Sequence, residues 1–149
     1  MTDDLTFIDT NVLVYAYDAD AGHKHQTAKS VVVGLWNSRS GAMSTQVLQE
    51  FYVTTTRKIA QPLAPHAARQ IIDTYRAWPV HRPDVGDILS ASELAEHHRL
   101  SFWDALIVIA AQGTGATTLL SEDLQDGRRL AGLTVTNAFS EPIRYRGLT

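Results

Sequence analysis

The chain has 149 residues, of which 44% are hydrophobic and 19% charged, with a net charge of −3; this is enough for one domain with a real core and too little for two. It has no cysteine, which excludes disulfides, cysteine–zinc sites and thiol nucleophiles together. The longest apolar run, Ala105 to Ala111, is too short for a membrane helix, and the acidic Met1-Thr2-Asp3-Asp4 is unlike a targeting peptide, so a cytoplasmic protein with no membrane partner is expected.

Leu5 to Ile8 reads as a short buried strand. Val12, Leu13, Ala16 and Tyr17 recur at helical spacing, so a helix follows at once. Asp18-Ala19-Asp20-Ala21-Gly22 breaks it, and a second helix runs from about His23 to Trp36. After a turn at Asn37 to Gly41, Ala42-Met43-Ser44 reads as a strand leading into a helix that carries Val47, Leu48, Phe51 and Tyr52 on one face. Pro62 and Pro65 end that helix and open the next, which is predicted to reach about Trp78. Pro79-Val80-His81 gives a brief strand and Ile88 to His98 a helix. Ser101 is a natural N-cap for a helix over Phe102 to Gln112, apolar nearly all round and therefore expected at the centre, with Gly113 or Gly115 stopping it. Thr117 to Leu120 and Leu133 to Thr136 are the last strands. Strands alternating with helices indicate an α/β fold: a single domain over residues 1–149, with a central parallel sheet of about five short strands flanked by helices.

Four carboxylates stand at places of chemical interest. Asp9 ends the first strand, where ligand sites gather in open α/β sheets, although it could also cap the helix that follows. Thr10 and Asn11 are alternative caps that would leave Asp9 free to face a cleft. Asp104 stands three residues after Ser101 in a capping-box pattern, yet it is the only charge on a helix expected to be buried. Glu50 falls at the edge of an apolar helix face, and Asp123 follows the strand ending at Leu120, with Glu122 and Asp126 as rivals in the same loop. In a doubly wound sheet these places converge on one edge. Such a cluster suits Mg²⁺ or Mn²⁺, which prefer hard oxygen ligands, and phosphodiester hydrolysis is the natural chemistry for the site. The net charge speaks against a general nucleic-acid binder but not against a nuclease; Arg57-Lys58, Arg128-Arg129 and Arg144 with Arg146 could form a cationic rim.

Phe7-Ile8-Asp9-Thr10-Asn11-Val12-Leu13, Glu50 in the third helix, Leu100-Ser101-Phe102-Trp103-Asp104-Ala105-Leu106-Ile107 and Leu119-Leu120-Ser121-Glu122-Asp123-Leu124-Gln125-Asp126-Gly127 together resemble a PIN domain, and more narrowly a VapC-type toxin of a toxin–antitoxin pair. The resemblance covers essentially the whole chain. It implies a Mg²⁺- or Mn²⁺-dependent endoribonuclease that leaves a 5′-phosphate and a 3′-hydroxyl. Asp9 and Asp104 would be the principal metal ligands, Asp123 would complete the acidic cluster, and Glu50 would position or deprotonate the attacking water. A homodimer, an RNA substrate and a small antitoxin whose carboxy-terminal segment fills the active-site groove are implied as partners. A non-catalytic PIN module binding RNA or protein is the alternative. A phosphatase of the haloacid dehalogenase type using Asp9 as nucleophile fits less well, because Asn11 stands where an acid/base Asp is wanted and no lysine follows Lys58.

No Gly-x-x-x-x-Gly-Lys loop or Gly-x-Ser-x-Gly elbow is present, and Gly113-Thr114-Gly115 follows a helix, as a helix stop does. The pairs His23 with His25 and His97 with His98 lack a third metal ligand. Trp36, Trp78 and Trp103 read as core or interface residues, with base stacking only a weak alternative.

Overall fold

The computed structural model describes residues 4–140. Its centre is a sheet ordered β3-β2-β1-β4-β6-β5, formed by β1 (Thr6–Ile8), β2 (Gly41–Ser44), β3 (Val80–His81), β4 (Thr118–Leu120), β5 (Arg129–Leu130) and β6 (Leu133–Thr136). Helices α1 (Thr10–Tyr17), α2 (His23–Ser38), α3 (Thr45–Arg57), α4 (Pro65–Thr74), α5 (Val85–His98) and α6 (Phe102–Gly113) flank it. Every pairing is parallel except β5 with β6.

β1 lies between β2 and β4, with Phe7 opposite both Ala42 and Leu119. Helices cover both faces of such a strand, so it has no solvent side and carries no polar alternation. Phe7, Ile8, Ala42, Met43, Leu119 and Val135 are accordingly buried, with Val12 and Leu13 of α1 and Val108 of α6 packed into the same core. A second apolar focus lies beside β2, where Tyr75 and Trp78 meet edge to face at 4.9 Å and Trp36 packs on both.

The sheet has one strand more than the sequence suggests. β5 is only two residues long and turns back through Ala131 and Gly132, both at positive φ (51° and 84°), as a two-residue hairpin of the I′ kind requires. A pair of residues offers no alternation to read, and Ala-Gly is a weak turn signal. Two helix boundaries also differ. α4 stops at Thr74 and a 3-10 turn, Tyr75–Ala77, takes the buried Tyr75 into the aromatic cluster. α5 starts at Val85, ahead of the expected Ile88, because Asp84 and Asp87 form a reciprocal capping box there. Among the described residues no helix is long and apolar enough to cross a membrane.

Gly41 begins β2 directly against the Trp78 indole, and a Cβ built on it would lie 2.5 Å from the ring. Gly41→Ala therefore forces the aromatic cluster apart, at a cost of about 1–3 kcal/mol. Urea unfolding should show a lower midpoint with an unchanged slope; an unchanged midpoint would mean that Trp78 relaxes freely.

Candidate functional site

The site stands at the carboxyl ends of β1 and β4. The Asp9 N–H donates to Leu120 O at 3.0 Å, which carries the strand pairing one residue beyond β1 and sets Asp9 beside Ser121. Asp9 is the N-cap of α1: its Oδ1 accepts from the Thr10 N–H at 2.7 Å, while Oδ2 accepts from the fully buried Ser121 hydroxyl at 2.9 Å. Thr10 and Asn11 do not take over the cap. Thr10 is already inside the helix and its hydroxyl donates to Glu50 Oε1 at 2.5 Å; the Asn11 amide donates to Asp123, 3.2 Å from Oδ2. The cap nevertheless leaves Asp9 facing a cleft, because the two roles use one carboxylate in different directions.

Asp104 occupies the first turn of α6, where its N–H donates to Ser101 Oγ at 3.0 Å. Only this half of the capping box forms. The Asp104 carboxylate takes no hydrogen bond or ion pair among the described residues and is half-buried rather than deep, since the first turn of α6 emerges from the core. From Ala105 onward α6 is buried as expected. Glu50 is exposed on α3 and is held by Thr10 and, at 3.5 Å, by the Gln46 amide. Asp123 follows Ser121, whose Oγ accepts from the Asp123 N–H at 3.2 Å.

Asp9, Glu50, Asp104 and Asp123 line one hollow of about 470 Å³, together with Thr10, Asn11, Gln46, Lys58, Trp103 and Ile107. The rival acids do not. Glu122 accepts from the Tyr15 hydroxyl at 2.5 Å and pairs with Lys24 at 2.8 Å, and Asp126 accepts from the Asn137 N–H at 2.9 Å. A larger hollow beside α4 and Trp78 contains none of the four acids.

The electrostatics of the hollow are those of acids crowded together. Burial raises Asp9 to about 6; the Thr10 and Ser121 hydrogen bonds oppose this rise, and repulsion from Asp123 and Asp104 adds to it. Asp123 is also raised, by burial first and then by Asp104, Glu122 and Glu50. Among the described residues no three His, Asp or Glu side chains are gathered into a finished chelate. The donor set still fits a hard, largely hydrated divalent ion, which takes only one or two carboxylates and keeps several waters. Gln46 Oε1, buried on the same wall without a donor, adds an oxygen that such a water could satisfy.

Thr10, Ser121 and Gln46 escape a sequence reading aimed at acids. Ser121 had a usable signal, a small hydroxyl residue directly after a buried strand. The Gln46 signal was its place one helical turn before Glu50 on the same face. Of the expected cationic rim, Lys58 lines the hollow, Arg128 donates instead to His98 O at 3.1 Å, and Arg144 and Arg146 lie outside the described residues. His97 and His98 pack on each other, and His25 bonds Tyr15 O.

The PIN domain model matches residues 6–132 of the chain. The chain belongs to the PIN domain family. No curated protein matches this PIN domain by sequence, but solved structures match its fold. A toxin–antitoxin complex from Klebsiella pneumoniae superposes with a TM-score of 0.66 at 17% identity, over 91% of this chain and 99% of that one. VapBC2 from Rickettsia felis, bound to a DNA fragment from its promoter, gives 0.61 at 20% identity over 89% and 98%. VapC20 from Mycobacterium tuberculosis, a toxin that cleaves the sarcin-ricin loop, gives 0.57 at 23% identity over 76% and 86%. The family resemblance seen in the sequence is thereby borne out, and the solved folds it matches include VapC and VapBC proteins.

A carboxylate raised on folding stabilises the fold only while protonated. Asp9 therefore makes the metal-free PIN domain lose stability as pH rises from about 4, where the unfolded chain ionises, through about 6, where the folded one does. The full loss is on the order of 3 kcal/mol. In EDTA, Asp9→Asn should melt higher than wild type at pH 8 and level with it near pH 4. Equal melting temperatures at pH 8 would show that the Asp9 charge costs the fold nothing.

Proposed function

We propose that this PIN domain is the toxin of a toxin–antitoxin pair, an endoribonuclease that hydrolyses RNA phosphodiesters with Mg²⁺ or Mn²⁺ as cofactor. Convergence of four carboxylates on one hollow, with the rival acids of the same loop tied elsewhere, carries this reading. The sarcin-ricin loop cleavage ascribed to one fold neighbour supports it.

Asp9 and Asp104 would hold the cation, and Asp123 would complete the acidic cluster. When bound, the ion supplies Lewis acidity towards a phosphoryl oxygen and lowers the pKa of water. Asp9 is suited to its part because Thr10 and Ser121 fix its rotamer before any ligand arrives. Asp104 brings a carboxylate free of other bonds among the described residues. Glu50, which lines the hollow, would orient the attacking water or receive its proton: Thr10 and Gln46 hold its two oxygens by single hydrogen bonds, so each keeps capacity to accept another. Asn11 keeps Asp123 from swinging to solvent. The antitoxin partner would insert its carboxy-terminal segment into the same groove, and the toxin would act as a homodimer in the cytoplasm.

Asp9→Asn and Asp104→Asn should each lower RNA cleavage by about a thousandfold, the loss of several kcal/mol of transition-state stabilisation, with the circular dichroism spectrum unchanged. Both should also abolish the heat of Mn²⁺ binding in calorimetry of antitoxin-free protein. Cleavage by either variant at the wild-type rate would sink the site assignment, and wild-type protein that binds no Mn²⁺ would leave a non-catalytic module.

A further inference from the structure

Trp103 differs from the other two tryptophans of the chain. Trp36 and Trp78 pack with Tyr75 in the aromatic cluster beside β2, whereas Trp103 is 62% exposed on the rim of the acidic hollow. Leaving so large an apolar ring in water forgoes the stabilisation that burial would give it, and nothing in capping or packing α6 calls for an indole there. Its placement is not loose. Phe102 packs against it at 5.1 Å and 79°, and the Gln46 amide reaches the Trp103 carbonyl at 3.5 Å.

The lining of the hollow mixes two chemistries: Asp9, Glu50, Asp104 and Asp123 are acidic, whereas Trp103, the exposed Val53 of α3 and Ile107 are apolar. Trp103 and Asp104 both line the hollow from the first turn of α6, so a ligand whose anionic group is held at the acids through the proposed cation has the indole within the same hollow. A nucleotide has this pair of features, a phosphate and a flat apolar base. Lys58, the only basic side chain among the described residues lining the hollow, stands at the end of α3, where it can meet a second phosphate.

We infer that Trp103 is a substrate-binding residue, the platform on which an unpaired base next to the scissile phosphate stacks. This rests on the nuclease reading of the acidic hollow. Stacking on an aromatic face is tolerant of base identity, so Trp103 contributes affinity and demands an unstacked nucleotide without selecting a sequence. A protein segment on the same ring, from an antitoxin or a second copy of the chain, is the competing occupant. It would give Trp103 no part in RNA binding by the free toxin.

The test is a fluorescence titration of antitoxin-free Glu50→Gln protein, which keeps Asp9 and Asp104, with a mixed-sequence single-stranded oligoribonucleotide in Mg²⁺, repeated with Trp103→Phe and Trp103→Ala added. Binding should quench tryptophan emission in the Glu50→Gln protein. With Trp103→Ala the quench should vanish and affinity, followed by anisotropy of labelled RNA, should fall about tenfold or more; Trp103→Phe should retain most of it. In otherwise wild-type protein Trp103→Ala should raise KM for RNA cleavage with kcat largely kept, the reverse of Asp9→Asn. Unchanged RNA affinity in Trp103→Ala overturns the inference, whether or not that variant also loses dimerisation or antitoxin binding, and so does a failure of the Glu50→Gln protein to bind RNA. RNA binding and quenching in a protein that cuts no RNA would leave the platform standing while the nuclease reading falls.

Discussion

The structure depends on the pairing of β1 with β4. This seam joins residues more than a hundred positions apart, and the hydrogen bond from Asp9 N–H to Leu120 O extends it just past the strand ends. Without that last bond Asp9 and Ser121 would have no reason to meet. With it, a buried hydroxyl grips one oxygen of Asp9 and the start of α1 grips the other. Asn11 and Asp123 close the same junction from the solvent side. Strand register is thus converted into side-chain geometry, and a slip of one residue would turn Asp9 to the other face of the sheet.

The arrangement costs stability. Asp9 and Asp123 are held near Asp104, and burial and mutual repulsion make both harder to ionise than a free carboxylate. A protein selected only for stability would replace one of them with an amide or an apolar residue. That crowded acids of this kind meet at one hollow fits the site proposed above. Glu122 shows the contrast one residue away: there Lys24 and Tyr15 supply the compensation, and the carboxylate is structural.

Much of this was legible in the sequence. The buried β1 and β4 strands are short apolar runs, and α6 announces itself through Ser101 and an unbroken apolar body. The positions of Asp9, Asp104 and Asp123 follow from strand ends and a helix start. Glu50 was the least legible of the four, because an acid at the edge of a helix face looks alike whether it meets solvent or a hollow; only the approach of α1 decides it, through Thr10. The choice among Glu122, Asp123 and Asp126 was likewise beyond reach, since it turns on partners outside the loop: the Lys24 and Asn11 side chains, 98 and 112 residues away, and the Asn137 N–H, 11 residues on. β5 was hidden by its two-residue length, and the exposure of Trp103 by the apolar helix in which it sits.

The span of the Asn11–Asp123 contact also bears on how the protein is made. A ribosome delivers β1 and α1 ahead of the rest of the sheet, but β4 and the last acid of the hollow emerge only after some 112 further residues. Parallel pairing over such a distance is slow to close, because the entropy of the intervening chain must be lost before any contact rewards it. The amino-terminal portion alone carries Asp9 and Glu50 but neither Asp104 nor the strand that locks Asp9 in place. The acidic hollow is therefore a property of the finished chain, and a fragment released early in synthesis is born without it.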